Sequence, residues 1–460
     1  MARVYCRMRN VLICVCTPCI VMFLMVVYIS FSLYVLMNES VHKTKRYNTG
    51  PLFVARGSNS NGSYASLPGT FWEKEKAFWN QLQRGVDLSF NPILYPSQAK
   101  AESERVYLDD SFLEQSFSKV ASMDSMKDKF EKLPEHMQQY SRSMQRRKYP
   151  LLIQPDGACG AKAKHEERTP LILFAIKSSE LNIKNRQAIR QTWGQAGWVQ
   201  GQKNSSNKEE EEEVGAYVRR VFLLGKENSK LSSPDLSHLL NAENRRYGDI
   251  LQWDFEDTFF NLTLKDVLFW SWFSRSCGQT LFVFKGDDDV FVNTPRLISY
   301  LHEELKNPQT PLKDFMVGDV IGDAMPIRAK SSKYFIPDSF YKGIYPSYAG
   351  GGGVVYSGQL ARRLHHISKS VHLYPIDDVF VGMCMRRLNA LPVHHPAFLT
   401  FDFAKKEVEK PCSYHTILLV HKRSPEELLS LWADLKRTRT RCRDVPLRAP
   451  ATKKSSRDVL

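Results

Sequence analysis

From residue 149 onward the chain predicts an α/β fold, a mostly parallel central sheet with helices on both faces, preceded by a membrane-spanning helix and a stem. Three features lead there. Short apolar runs rich in β-branched and aromatic residues alternate with helical patterns, reading β, α, β, α, β between Leu171 and Phe284. Those runs lack a polar face, as strands covered by helices on both sides do. The last of them, Leu281–Phe284, leads into three carboxylates, Asp287, Asp288 and Asp289, and then into a second apolar run, Val290–Val292. Charge therefore gathers at the mouth of a strand, where α/β sheets take their ligands.

Taken from the start, residues 1–10 form a short basic tail. Val11–Met37 carries no charged side chain over 27 residues, enough at about 1.5 Å per residue to cross a hydrocarbon core of roughly 30 Å. The run is too long for a cleaved signal peptide and continues through Tyr28, Phe31 and Tyr34, so it reads as an uncleaved signal anchor over 11–37. Basic residues stand on both sides of it, and orientation must come from elsewhere. Of nine cysteines, Cys159, Cys277, Cys384, Cys412 and Cys442 lie in the folded part with no zinc spacing. Disulfides in an oxidising lumen, with one cysteine left over, are the expected use. N-x-Ser/Thr sequons at Asn61, Asn204 and Asn261 fit the same side of a membrane, Asn38 being too near it. A type II protein with a luminal body follows. The formal charge of +15 then has no nucleic acid to meet.

Residues 38–70, rich in Asn, Ser, Gly and Thr, read as a flexible stem. Phe71, Trp72, Phe78, Trp79 and Leu82 fall near helical spacing, and residues 71–148 are expected to form a helical extension docked on the 149–442 domain. Leu171–Ile176 is a buried strand, followed through a loop by the helix Asn185–Gly194. No glycine-rich phosphate fingerprint is present, so affinity for phosphate would fall to Lys177, Arg186 and Arg190, the last two on one helical face. The alternative is that these are solvated basic residues. Asn204–Glu213, with five consecutive glutamates, is a surface insertion. Val218–Leu224 is a strand, Pro234–Tyr247 a helix, Ile250–Trp253 a short edge strand and Leu262–Phe273 a helix. After the aspartates come a helix over Pro295–Glu304 and a strand over Phe315–Ile321.

Three further stretches carry chemistry. Asp287–Asp289 repel one another unless a cation compensates them or water screens them as an open turn; oxygen ligands of this kind suit Mg²⁺ or Mn²⁺. Gly350–Gly353, between Tyr348-Ala349 and Val354-Val355-Tyr356, allow close approach to a ligand or positive φ, or merely a flexible loop. Asp377 and Asp378 follow Pro375 at the start of an apolar helix, where the helix dipole favours ionised carboxylates; one could cap the helix while the other works. Ser413–Val420 reads as a strand ending at His421. Ser424-Pro425-Glu426-Glu427 is a capping box opening an amphipathic helix. Residues 443–460 read as a basic, disordered tail.

In order and spacing, AIKS with RQAIRQTWG, DTFFNLTLK, FKGDDDVFVN, YAGGGGVVYSG and YPIDDVFVGMC resemble glycosyltransferase family 31 over about residues 70–442. The wording is similar to its β-1,3-N-acetylglucosaminyltransferases of the poly-N-acetyllactosamine type. The resemblance implies a GT-A type, Rossmann-like domain, a Golgi membrane location and Mn²⁺ (or Mg²⁺) as cofactor. It implies inverting transfer from UDP-GlcNAc to the 3-hydroxyl of a terminal β-galactose on glycoproteins or glycolipids, and leaves room for a homo- or hetero-oligomer. Carried onto this chain, it makes Asp289 and Asp287 metal ligands, with Asp287, Asp288, Lys177, Arg186 and Arg190 on the donor side. Asp378 becomes the base with Asp377 in support, while Tyr348, Gly351 and Gly352 lie along the acceptor. A disulfide between Cys384 and Cys412, both in the acceptor-side half, is expected. The rival readings are a β-1,3-galactosyltransferase and a non-catalytic Golgi lectin.

Overall fold

A computed structural model describes Met25, Tyr28 and residues 77–90, 124–144, 146–155, 159, 169–202, 215–227, 236–403, 407 and 410–449. The chain divides into two units, 1–49 and 50–460; of the first, only the helical, exposed Met25 and Tyr28 are described. No helix among the described residues is long and apolar enough to cross a membrane. The expected anchor, the stem, the acidic insertion and the sequons at Asn61 and Asn204 lie, those two residues apart, outside them.

The second unit opens with helices α1 (Phe78–Phe90), α2 (Asp124–Glu131) and α3 (Glu135–Ser143), then β1 (Leu151–Ile153). The apolar run after Pro170 becomes β2 (Ile172–Lys177), buried along its whole length. Helix α4 (Ile183–Gln191), strands β3 (Gly197–Gln200) and β4 (Gly215–Lys226), α5 (Ser237–Tyr247), β5 (Ile250–Glu256) and α6 (Leu262–Ser276) lead to β6 (Phe282–Asp287). Next come β7 (Val290–Val292), α7 (Thr294–Lys306), β8 (Met316–Gly318), β9 (Val320–Ile321), β10 (Tyr348–Ala349) and β11 (Gly353–Ser357). The chain continues through α8 (Gly358–Ser368), α9 (Asp377–Arg387), β12 (Val393–His394), β13 (Phe398–Leu399), β14 (Leu419–His421) and α10 (Pro425–Thr438).

Nine strands form the main sheet in the order β1-β5-β4-β2-β6-β11-β8-β12, with β3 beside β4. Alternate residues of β2 serve opposite layers, as the two-residue period of a strand dictates. Leu173 and Ala175 pack with α6, α8 and α9; Ile172, Phe174 and Ile176 pack with α4, α7 and α10. This is the three-layer arrangement expected.

The sheet is mixed rather than mostly parallel. Its centre, β5-β4-β2-β6, is parallel, while β1, β3 and β11 run against their neighbours. Strand β11 reverses because no helical crossover precedes it; it leaves β10 by a tight glycine turn. The expected edge strand at Ile250–Trp253 is longer and internal, since β1 covers it, pairing Leu151 with Trp253. The single strand expected over Phe315–Ile321 breaks at Asp319: β8 joins the main sheet, whereas β9 pairs with β10. Ser413–His415 forms a 3₁₀ turn, and only Leu419–His421 is strand, antiparallel to β7.

Disulfides join Cys159 to Cys277 and Cys412 to Cys442. The expected Cys384–Cys412 bridge is therefore wrong: Cys384 is a free thiol buried in α9 against the core, and burial pushes it up to about 12. Residues 443–449, expected to be disordered, lie against the domain. The Arg448 backbone N–H donates to the Thr416 carbonyl at 2.8 Å, and Leu447 packs on the core.

Candidate active site

Strands β2 and β6 end side by side, and their register sets Lys177 opposite Asp287. The buried Lys177 ammonium lies 3.0 Å from Asp287 Oδ1 and 2.6 Å from Asp377 Oδ2. It thereby links the two acidic motifs, which are 90 residues apart in the chain. Burial opposes its charge, but Asp287, Asp377, Asp378 and Asp266 hold its pKa well above the usual lysine value.

The three aspartates divide by the alternation of the backbone. Asp288 turns inward: its Oδ2 accepts from Ser178 Oγ at 2.6 Å and Asn182 Nδ2 at 3.0 Å, and Asn185 donates to its carbonyl. Burial pushes its carboxyl up to about 6. Asp287 and Asp289 face the other way, toward His421 at the end of β14. His421 Nε2 stands 3.2 Å from Asp289 Oδ1 and 3.8 Å from Asp287 Oδ2. One ligand atom from each of the three lies within 4.8 Å of the others, an arrangement that could hold a divalent cation. The two carboxylate oxygens suit Mg²⁺ or Mn²⁺. The imidazole has to be neutral to ligate; burial lowers its pKa, yet Asp289 and Asp287 raise it above the ordinary histidine value. The sequence shows His421 only as the end of an apolar strand, so no spacing tied it to the aspartates.

Asp377 and Asp378 open α9. Burial would raise the Asp377 pKa, but Lys177 and Lys285 hold it down at about 2. It is a lysine-paired carboxylate, enclosed. Asp378 is half-buried and faces the glycine turn; burial first, then the charge of Asp377, pushes it up to about 8. The glycine run serves close approach, not positive φ, which none of its four members adopts. A Cβ on Gly351 would stand 2.8 Å from Asp378 Oδ2, and one on Gly352 3.0 Å from His421 Cβ. These two glycines let the turn lie over both acidic motifs. Tyr348, on β10, sits beside them; burial and then the Asp378 charge push its hydroxyl up to about 12.

Arg186 and Arg190 are buried rather than solvated. Arg186 is fully buried and pairs with Glu243 at 2.8 Å, also donating to Ser178 Oγ. Arg190 spans Glu243 at 2.6 Å and Asp249 at 2.7 Å. Both cations are paired with carboxylates within the domain. Arg186 reaches the site only through Ser178, which holds Asp288. At Asn261 the side-chain amide donates to the Glu256 carbonyl at 2.8 Å, and Thr263 of the same sequon donates to the Tyr374 carbonyl at 2.6 Å.

The galactosyltransferase family model matches residues 184–396. Human N-acetyllactosaminide beta-1,3-N-acetylglucosaminyltransferase 2 is 40% identical over 387 residues, 84% of this chain and 91% of its own length. Bovine UDP-GlcNAc:betaGal beta-1,3-N-acetylglucosaminyltransferase 9 is 43% identical over 310 residues, covering 64% and 72%. Rat UDP-GlcNAc:betaGal beta-1,3-N-acetylglucosaminyltransferase 7 is 40% identical over 308 residues, covering 66% and 72%. With the aspartate turn, the glycine run and α9 all inside the matched region, the chain belongs to the galactosyltransferase family, glycosyltransferase family 31.

Proposed function

We propose that this chain is an inverting β-1,3-N-acetylglucosaminyltransferase, moving GlcNAc from UDP-GlcNAc to the 3-hydroxyl of a terminal β-galactose and so extending poly-N-acetyllactosamine. The observation that carries the reading is Lys177, which draws a candidate cation site and a candidate base into one cleft. The relatives, each named for β-1,3-N-acetylglucosaminyl transfer, support the donor and acceptor. The domain is of GT-A type.

Inversion by direct displacement needs one base and no covalent nucleophile. Asp378 is that base: it faces the cleft, and its raised pKa lets it take a proton near neutral pH. Asp377 stays ionised on Lys177 and keeps α9 in place. Asp287, Asp289 and His421 would hold Mn²⁺ or Mg²⁺, whose charge offsets that of the departing diphosphate. Asp288 fixes the turn that presents them. Tyr348 and the Gly351-Gly352 backbone form the wall along the acceptor. On this reading the protein is a single-pass type II chain of the Golgi membrane with a luminal body, glycosylated at Asn61, Asn204 and Asn261; two disulfides suit that compartment.

The test is transfer by the purified full chain from UDP-GlcNAc or UDP-Gal to a lactosamine acceptor, with Mn²⁺ and with EDTA. Metal-dependent GlcNAc transfer forming a β1,3 linkage is expected. Transfer of galactose instead would overturn the donor, and folded protein that binds lactosamine without transfer would overturn the enzyme reading in favour of a lectin.

A further inference from the structure

Beneath the cleft lies a buried charge pair that the reaction scheme above does not use. Asp266, in the second turn of α6, and Lys285, on β6, are both buried, with Nζ 2.7 Å from Asp266 Oδ2. Lys285 Nζ is also 3.8 Å from Asp377 Oδ2, the oxygen that takes Lys177 at 2.6 Å. Four buried charges thus share one pocket of protein: two ammoniums, Lys177 and Lys285, and two carboxylates, Asp266 and Asp377. They balance, leaving Asp378 and Asp287 on the open side. The remaining titratable groups facing Asp266 are Tyr356 on β11, whose hydroxyl accepts from the Trp270 indole, and Cys384 on α9. Lys265, next to Asp266 on α6, is occupied elsewhere, 2.9 Å from Asp257 and donating to the Ser178 carbonyl at 2.6 Å.

We propose that Asp266 is a positioning residue for the transfer step: it engages Lys285 and keeps it at the longer distance from Asp377, so that Lys177 stays the near partner of Asp377 and Lys285 does not close onto the Asp377–Asp378 pair. The argument is one of competing partners. A buried ammonium that loses its carboxylate is left uncompensated, and the next carboxylate within reach of Lys285 is Asp377, 3.8 Å away. Arrival there would loosen Lys177 from the oxygen it holds and add positive charge beside the base, making Asp378 a poorer proton acceptor. What matters is the cancellation of charge, not either side chain by itself. This inference rests on the proposed transfer reaction.

The experiment compares Asp266→Asn, Lys285→Met and the double variant in the full chain, reading kcat, the KM for UDP-GlcNAc, the pH dependence of kcat, and folding by near-UV circular dichroism. Asp266→Asn is expected to lower kcat by about tenfold or more, with the KM for UDP-GlcNAc within about twofold. The acid limb of the kcat profile should shift to lower pH. The double variant leaves no uncompensated charge and should return both kcat and limb toward the wild type. A kcat for Asp266→Asn equal to the wild type, or a folded double variant as inactive as Asp378→Asn, would overturn the proposal. Should Asp266→Asn not fold, the double variant decides alone: it must fold and retain turnover. An inactive wild type would instead overturn the transfer reading itself.

Discussion

Asp377 and Asp378 are adjacent in sequence, share a helix end, and meet opposite fields. The first is enclosed with Lys177 and Lys285; the second is desolvated and left beside a like charge. Replacing Asp378 by Asn should therefore lower kcat by about 10²-fold or more, while the affinity for UDP-GlcNAc, measured calorimetrically, stays within a few fold. The same residue governs pH. Transfer needs the ionised form, so kcat/KM should rise with pH along an acid limb lying well above the ordinary carboxylate range. Stability moves the other way. The folded state holds the Asp378 proton more tightly than the unfolded chain, so its contribution is present at low pH and is lost as pH rises toward about 8. At pH 8 without metal, Asp378→Asn should be more stable than the parent by about 1 kcal/mol or more. A variant less stable than the parent under those conditions would contradict the assignment. His421 gives a separate reading. Its replacement by Ala should weaken Mn²⁺ binding by about tenfold or more, and in the parent that affinity should fall as pH drops and the imidazole gains its proton.

Elements were legible in the sequence where the pattern is local. The capping box at Ser424 is present as read: the Glu427 backbone N–H donates to Ser424 Oγ at 3.2 Å, and Glu427 Oε2 accepts from the Ser424 N–H at 2.7 Å. Ser424→Ala should cost about 1 kcal/mol in chemical denaturation with transfer unchanged. The strands ending at Lys177 and Asp287 were legible too, because a continuous apolar run closing on charge has few other readings. What failed was decided by distant partners. Ile250–Trp253 ceased to be an edge because β1 arrives from residue 151. Arg186 and Arg190 show a correct helical face, but Glu243, 57 and 53 residues away in the chain, claims both. His421 joins Asp289 only because β14 pairs with β7, setting His421 against Val290. A sequence shows which residues carry charge, while the pairing of strands decides which charges meet.

At the scale of the whole second unit, α1 is integral to the domain rather than an attachment to it. The Trp79 indole donates to the Leu373 carbonyl at 3.1 Å, and Gln83 accepts from the His372 backbone N–H at 2.7 Å while donating to the Ser370 carbonyl at 3.0 Å. These contacts hold the segment that runs directly into Pro375, Asp377 and Asp378. At the far end of α9 the Asp87 carboxylate takes Arg387 in a two-pronged pair at 2.7 and 2.6 Å, both side chains buried. The helix bearing Asp377 and Asp378 is therefore held at both ends by a helix that starts 299 residues earlier. Removing one partner of a buried pair leaves an uncompensated charge, at a cost of about 3–5 kcal/mol. Asp87→Asn should lower the unfolding free energy by an amount of that order, and should lower kcat more than it changes the KM for UDP-GlcNAc, because the field around Asp378 is set by where α9 sits. A body beginning at residue 149 should unfold at a much lower temperature than one beginning at residue 71. Equal thermal stability of the two would mean that α1 merely lies on the domain and that α9 is fixed from within.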